Sequence, residues 1–173
     1  MGNYKEKLHA IKAFVFDFDG VMTDGAVWTL PDGQTMRSGN IKDGYAIQYA
    51  VKKGYHVAVI SGANSTSIQH RLASLGVTNI FIGCANKIET YNKFLTDNNL
   101  TEQQVLYMGD DIPDYPIMKR CGVATCPSDA VVEIKEIAHY ISRYPGGGGC
   151  VRDIIEQTMR LHGQWFHQDA VIW

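Results

Sequence analysis

The chain has 173 residues, 45% of them hydrophobic and 20% charged, with a formal net charge of −2. That length suits one domain, residues 1–173, with a buried core. The near-neutral charge gives no electrostatic reason to expect nucleic acid or an anionic membrane as partner. No apolar run approaches the roughly 18 residues that span a bilayer, and the polar start, residues 1–7, does not read as a signal peptide. Cys84, Cys121, Cys126 and Cys150 show neither C-x-x-C spacing nor a paired histidine motif. They read as free thiols of a reducing cytoplasm rather than zinc ligands.

Strand-like and helix-like segments alternate, which predicts an α/β fold with a mostly parallel sheet. The first strand, residues 11–16, is an apolar run that ends in Asp17-Phe18-Asp19-Gly20. Residues 26–30 and 34–37 flank Pro31-Asp32-Gly33, a turn signal for a β-hairpin over the rim of the sheet. Helix 43–53, strand 56–60, helix 65–75 and strand 79–82 follow, then helix 87–98 and strand 105–108. Helix 113–120, strand 123–125, helix 130–136, a short strand at 139–141 and a final helix at 151–162 complete the pattern. Gly54, Gly76 and Gly122 each follow a helical stretch and suit the left-handed position at a helix end. No segment is long enough to form a separate cap domain. The glycine run 146–149 reads either as a flexible connector or as a source of main-chain amides. The tail, residues 164–173, is apolar enough to dock on another subunit, though disorder or another role fits it equally.

Chemistry concentrates where strands end. Asp17 and Asp19 follow the first strand, Ser61-Gly62 the second, Lys87 opens the helix after the third, and Gly109-Asp110-Asp111 with Asp114 follows the fourth. Ligands of open α/β sheets bind outside the carboxyl ends of the strands. A nucleophilic acid, a hydroxyl, a lysine and an acid cluster, one after each successive strand, suit phosphoryl transfer. A carboxylate attacking an anionic ester needs cations to offset repulsion. Mg²⁺ takes one or two carboxylates plus water and phosphate, a set that Asp17, Asp110 and the main-chain carbonyl of Asp19 could supply. Lys87 would add a fixed positive charge, while Ser61 and the Gly62 amide would donate hydrogen bonds. Taken singly, each feature has a plainer reading as a turn, a solvated lysine or a helix cap.

Together, Asp17-Phe18-Asp19-Gly20-Val21-Met22-Thr23-Asp24-Gly25, Ser61-Gly62, Lys87 and Gly109-Asp110-Asp111-x-x-Asp114 resemble the four motifs of the haloacid dehalogenase superfamily. The hairpin in place of a cap, Lys42-Asp43-Gly44, and Pro145 with the glycine run and Arg152 resemble its capless branch of sugar-acid phosphatases. The resemblance implies a Rossmann-like three-layer fold, Mg²⁺ as cofactor, a small sugar-acid phosphate as substrate, and a cytoplasmic homotetramer whose active sites are completed by neighbouring subunits. It implies Asp17 as nucleophile, Asp19 as general acid and base, Asp110 as a direct metal ligand, and Asp111 and Asp114 as supports of the metal shell and Lys87. Lys42, Asp43, Arg71 and Arg152 are the implied substrate-binding residues. The implied substrate is 3-deoxy-D-manno-octulosonate 8-phosphate, destined for lipopolysaccharide core sugar, with a nine-carbon sugar-acid 9-phosphate as the alternative. Ala63 matches neither the arginine nor the acidic residue typical of the two groups, and Ser74 leans toward the eight-carbon substrate. Outside enzymes, a phospho-accepting signalling module would put its acid pair and phosphorylated aspartate on different strands. An oligomerisation module would not need the full motif set.

Overall fold

The computed structural model describes residues 3–172. Six parallel strands form one sheet, β1 (Ala13–Phe16), β4 (His56–Ile60), β5 (Asn79–Phe81), β6 (Val105–Met108), β7 (Val123–Cys126) and β8 (Tyr140–Ile141), in the order β5-β4-β1-β6-β7-β8. Helices cover both faces, as an all-parallel sheet requires. Helices α1 (Tyr4–Leu8), α2 (Ile41–Lys52), α3 (Thr66–Ser74) and α7 (Cys150–Leu161) lie on one side, and α4 (Lys87–Asp97), α5 (Tyr115–Met118) and α6 (Val132–Ile137) on the other.

β1 shows why the apolar run forms the central strand. Side chains alternate between faces along a strand, so Phe14 and Phe16 enter the core with Ile47 of α2 and Ile154 of α7. Ala13 and Val15 enter the second core with Tyr91 and Phe94 of α4. All four strand residues are fully buried, which burial on two faces demands. From β1 the chain proceeds outward to β4 and β5 on one side, then returns to build β6, β7 and β8 on the other. The strand order therefore reverses at β1, and the crevice opens at its carboxyl end.

The hairpin, β2 (Trp28–Thr29) with β3 (Thr35–Met36), pairs antiparallel over only two residues per strand. It interrupts the alternation just past Asp19. Two features differ from the sequence expectation, and the tail, whose role that expectation leaves open, finds contacts within this chain. α1 forms at the polar start because the Asn3 side chain caps its first turn and Leu8 anchors it in the core. Gly54 and Gly76 take positive φ, but Gly122 does not; there a Cβ would collide with the main chain of Gln103, so close approach is what requires glycine. The tail packs on its own chain through a 3₁₀ turn, Gln168–Val171. Asp169 pairs with Lys53 at 2.6 Å, Tyr45 donates to the Ala170 carbonyl, and Trp165 packs edge-on against Tyr45 and Tyr49.

Candidate active site

Asp17 still belongs to the sheet, since its N–H donates to the Met108 carbonyl at 3.0 Å and extends the β1–β6 ladder by one residue. The chain then turns, with the Phe18 carbonyl accepting from the N–H groups of Val21, Met22 and Thr23. That turn separates the two acids. Asp17 remains buried at the sheet edge, whereas Asp19 swings toward the hairpin and is partly open to solvent.

Around Asp17 lies a closed polar network. Its Oδ1 accepts from the Phe18 N–H at 2.7 Å, and its Oδ2 meets Lys87 Nζ at 2.9 Å. Lys87, the first residue of α4, also donates to Asp114 Oδ1 at 2.7 Å, and Tyr107 of β6 donates to the same oxygen at 2.6 Å. The other Asp114 oxygen accepts from the Asp110 N–H at 3.2 Å. Asp114 and Tyr107 are wholly buried and Lys87 nearly so. Burial, reinforced by Asp114, pushes the Asp17 carboxyl up to about 7, with Lys87 only partly offsetting this. Burial and the neighbouring Asp17 and Asp114 likewise push Asp110 to about 7. Burial pulls the Lys87 amine down, but Asp114 and Asp17 outweigh it and hold the amine above its ordinary value. Burial, followed by the adjacent Asp114, holds the Tyr107 phenol well above its own.

Too many acids for one lysine is the signature of a cation site, and three observations fit a small hard cation. Carboxylate oxygens of Asp17, Asp110 and Asp114 lie within 4.8 Å of one another. Asp110 Oδ1 is buried with no hydrogen-bond partner. Gly20, at φ +81°, leaves the space that the Asp110 carboxylate fills, because any Cβ there would overlap it. Asp110, with its unpartnered Oδ1, offers the freest ligand oxygen, whereas both Asp114 oxygens already accept from neighbours and its Oδ1 braces Lys87.

Asp17, Lys87 and Asp110 line a cavity of about 520 Å³ together with Asp19, Ser61, Gly62 and Asp111, with Asp114 buried behind them. Ser61 continues the β4 ladder to the Phe81 carbonyl, and its Oγ accepts from the Ala63 N–H at 3.1 Å. Asp111 caps the following 3₁₀ turn by accepting from the Ile112 N–H at 2.7 Å.

Four expected binding residues lie elsewhere. Asp43 is 1% exposed and accepts from the Arg152 N–H at 2.7 Å, capping α7. Burial lifts its carboxyl to about 6, against the opposing effect of that amide. Arg71 lies across α2 at Gly44. Lys42 and Arg152 line a separate cleft, and the Arg152 guanidinium sits over the Tyr45 and Trp165 rings. The glycine run is not a flexible connector. Gly147 N–H donates to the Val21 carbonyl at 3.0 Å, Asn40 donates to the Gly147 carbonyl at 2.9 Å, and a Cβ at Gly146 would strike the Gly20 carbonyl. The run braces the back of the loop that follows Asp17.

Sequence reasoning missed two residues. Tyr107 pairs in register with Val15, two residues before Asp17, so strand parity could have placed it beside Asp17. Arg37 carried no such signal. It grips Asp19 bidentately, Nε to Oδ1 at 2.5 Å and Nη2 to Oδ2 at 3.1 Å, while Nη1 donates to Thr35 Oγ1 at 2.9 Å.

A parallel sheet carrying an acid cluster and a buried lysine at its carboxyl edge is the architecture of a haloacid dehalogenase-like hydrolase, and the model of that family matches residues 80–152. Among curated relatives, the 3-deoxy-D-manno-octulosonate 8-phosphate phosphatase KdsC of Escherichia coli K12 is 30% identical over 158 residues, 91% of this chain and 84% of that protein. The crystal structure of the phosphatase of the same name from Yersinia pestis superposes with a TM-score of 0.92 at 29% identity, covering 94% of this chain and 88% of that one. The Moraxella catarrhalis phosphatase, in complex with magnesium, phosphate and KDO, superposes with a TM-score of 0.89 at 25% identity, covering 93% and 92%. The chain belongs to the KdsC family of phosphomonoester hydrolases.

Proposed function

We propose that the protein is a Mg²⁺-dependent phosphatase of 3-deoxy-D-manno-octulosonate 8-phosphate, releasing phosphate and the free sugar acid in the cytoplasm for lipopolysaccharide core sugar. The observation that carries this reading is the 30% identity with the E. coli enzyme across 91% of the chain. The magnesium, phosphate and KDO held by the M. catarrhalis enzyme support the cofactor and the substrate class. Four free cysteines fit a reducing compartment. Exposed Trp28 and Met36 on the hairpin and Ile41 beside it favour association of copies into the homotetramer.

Asp17 attacks phosphorus as the bond to the sugar oxygen breaks, giving an aspartyl-phosphate. Asp19 delivers a proton to the departing oxygen, then takes one from the water that hydrolyses the intermediate and regenerates Asp17. Lys87, fixed by Asp114 and Tyr107, neutralises charge on the nucleophile and the phosphoryl oxygens. Ser61 Oγ and the Gly62 amide donate to those oxygens. Asp17, Asp110 and the Asp19 carbonyl would hold Mg²⁺, which when bound supplies the positive charge that lets a carboxylate approach an anionic ester. Asp111 and Asp114 support that shell.

The test is phosphate release from the eight-carbon and nine-carbon sugar-acid phosphates side by side, with and without EDTA. A preference of about 100-fold for the octulosonate, about 2.7 kcal/mol of differential transition-state binding, is expected, with full loss in EDTA. Preference for the nine-carbon acid would move the enzyme to sialic-type sugars, and EDTA-resistant turnover would refute the metal.

A further inference from the structure

The Arg37–Asp19 pair is the least expected contact at the site. Arg37 leaves β3 and reaches back 18 residues to fork both oxygens of the residue that must handle the leaving group's proton. The pair is not a buried structural bridge, for the two side chains are 12% and 32% exposed, open enough for an incoming ligand to compete. A vestibule of about 250 Å³ between Asp24, Trp28 and Met36 adjoins Arg37 and leaves it room to move.

Cations near the cavity are scarce. Among the described residues only Lys87 lines it with positive charge, and Lys87 is committed to Asp17 and Asp114. Lys42, Arg71 and Arg152 lie elsewhere, as described above. Arg37 lies outside that lining as well, but its grip on Asp19, which belongs to the lining, places it at the rim, where it can meet a second anionic group on a substrate whose phosphate occupies the Asp17 end. Its planar fork matches a carboxylate, and a carboxylate is what it already holds.

We infer that Arg37 is a specificity-determining residue that exchanges the Asp19 carboxylate for the carboxylate of the sugar-acid substrate. In this structure Arg37 covers Asp19. An acidic sugar phosphate offers the guanidinium a replacement partner and frees Asp19 to reach the sugar oxygen. A neutral sugar phosphate offers none, so Asp19 stays engaged. Substrate selection is thereby tied to release of the proton-transfer residue, and not to affinity alone. This inference rests on the sugar-acid reading of the site.

The experiment compares kcat/KM for 3-deoxy-D-manno-octulosonate 8-phosphate and for its uncharged C1 amide, in the wild type, Arg37→Met and Arg37→Lys. The wild type is expected to prefer the acid, and Arg37→Met to shrink that ratio about 10- to 100-fold, the range expected for a hydrogen bond to a charged group. Arg37→Lys, which keeps the charge but loses the fork, is expected to retain part of the ratio and guards against a folding defect in the methionine variant. A wild type that turns over acid and amide equally, or an Arg37→Met that slows both in parallel, overturns the exchange. A wild type that hydrolyses neither compound refutes the substrate reading itself, a distinct result from loss of the Arg37 effect alone.

Discussion

Asp17 and Asp19 are two residues apart and live in opposite surroundings. Asp17 is tied to the sheet ladder, buried, and locked by Lys87, which is itself locked by Asp114 and Tyr107. Asp19 sits past the turn, partly exposed, and is held by one arginine from a hairpin with two residues per strand. The anchored half of the site has every partner within the core. The rim half has a single exchangeable partner on a small, solvent-facing element. Positioned electrostatics belongs in the first setting, because a preorganised charge needs no reorganisation when the reaction occurs. Recognition of a variable sugar belongs in the second, where contacts can change without disturbing the core.

The sharpest way to break this comparison is Asp17→Asn. The change keeps the volume and the hydrogen bond from Phe18 N–H while removing the carboxylate proposed as nucleophile. Phosphate release is expected to fall by about 10⁴-fold or more, with an unchanged circular dichroism spectrum. Substantial residual turnover would show that the buried acid is not the nucleophile. Next in size is Lys87→Met, which leaves Asp17 and Asp114 facing each other in a buried site without their cation. At pH 8 it is expected to cost about 3–5 kcal/mol of stability, read as a drop in urea midpoint. A variant as stable as the wild type would mean that the anchored half is not the electrostatic keystone argued here.

How much of this division could be read in advance follows from the same physics. The sheet and the acids after β1 and β6 were legible because burial on both faces forces unbroken apolar runs, and chemistry collects where such runs stop. Lys87 was legible for the same reason, at the start of the helix after β5. The rim was not. Lys42, Arg71 and Arg152 carry charge and match the family pattern, yet α2, α3 and α7 place them outside the lining of this chain's cavity. Asp43, expected beside them, is a buried helix cap. Arg37 went unnoticed because its pairing with Asp19 depends on how the hairpin folds back, a long-range event with no periodic signature. The glycine run could be read as flexible because composition does not reveal that its amides and bare Cα atoms pack against the catalytic loop.

Asp43 tests whether the rim leans on the scaffold through that run. Burial raises its carboxyl from the ordinary 3.8 to about 6. A group whose folded pKa is raised contributes stability fully present below its unfolded value and lost as pH climbs through the folded one. Between pH 4 and pH 7, Asp43 is therefore expected to withdraw on the order of 2–3 kcal/mol. Asp17 and Asp110 shift in the same direction, so the informative quantity is the difference between the wild type and Asp43→Asn. Measured by urea unfolding without metal, that difference is expected to move in the variant's favour as pH rises across this window. A pH-independent difference would remove Asp43 from the account.

The smallest expected effect separates the two halves most cleanly. Thr35 Oγ1 accepts from Arg37 Nη1 at 2.9 Å and is the hairpin's own hold on the guanidinium. Thr35→Val keeps the shape and the β-branching of the strand but removes that acceptor. Being a partly exposed rim contact, it is expected to change unfolding stability by less than about 0.5 kcal/mol. Turnover of the sugar-acid phosphate is expected to change only a few-fold, because one neutral hydrogen bond is worth about 1 kcal/mol. The Lys87 variant would lose stability at the core while this one would change only how Asp19 is covered. If Thr35→Val instead unfolded the protein as readily as the lysine variant, the hairpin would be part of the scaffold, and the distinction between a fixed half and an exchangeable half would fail.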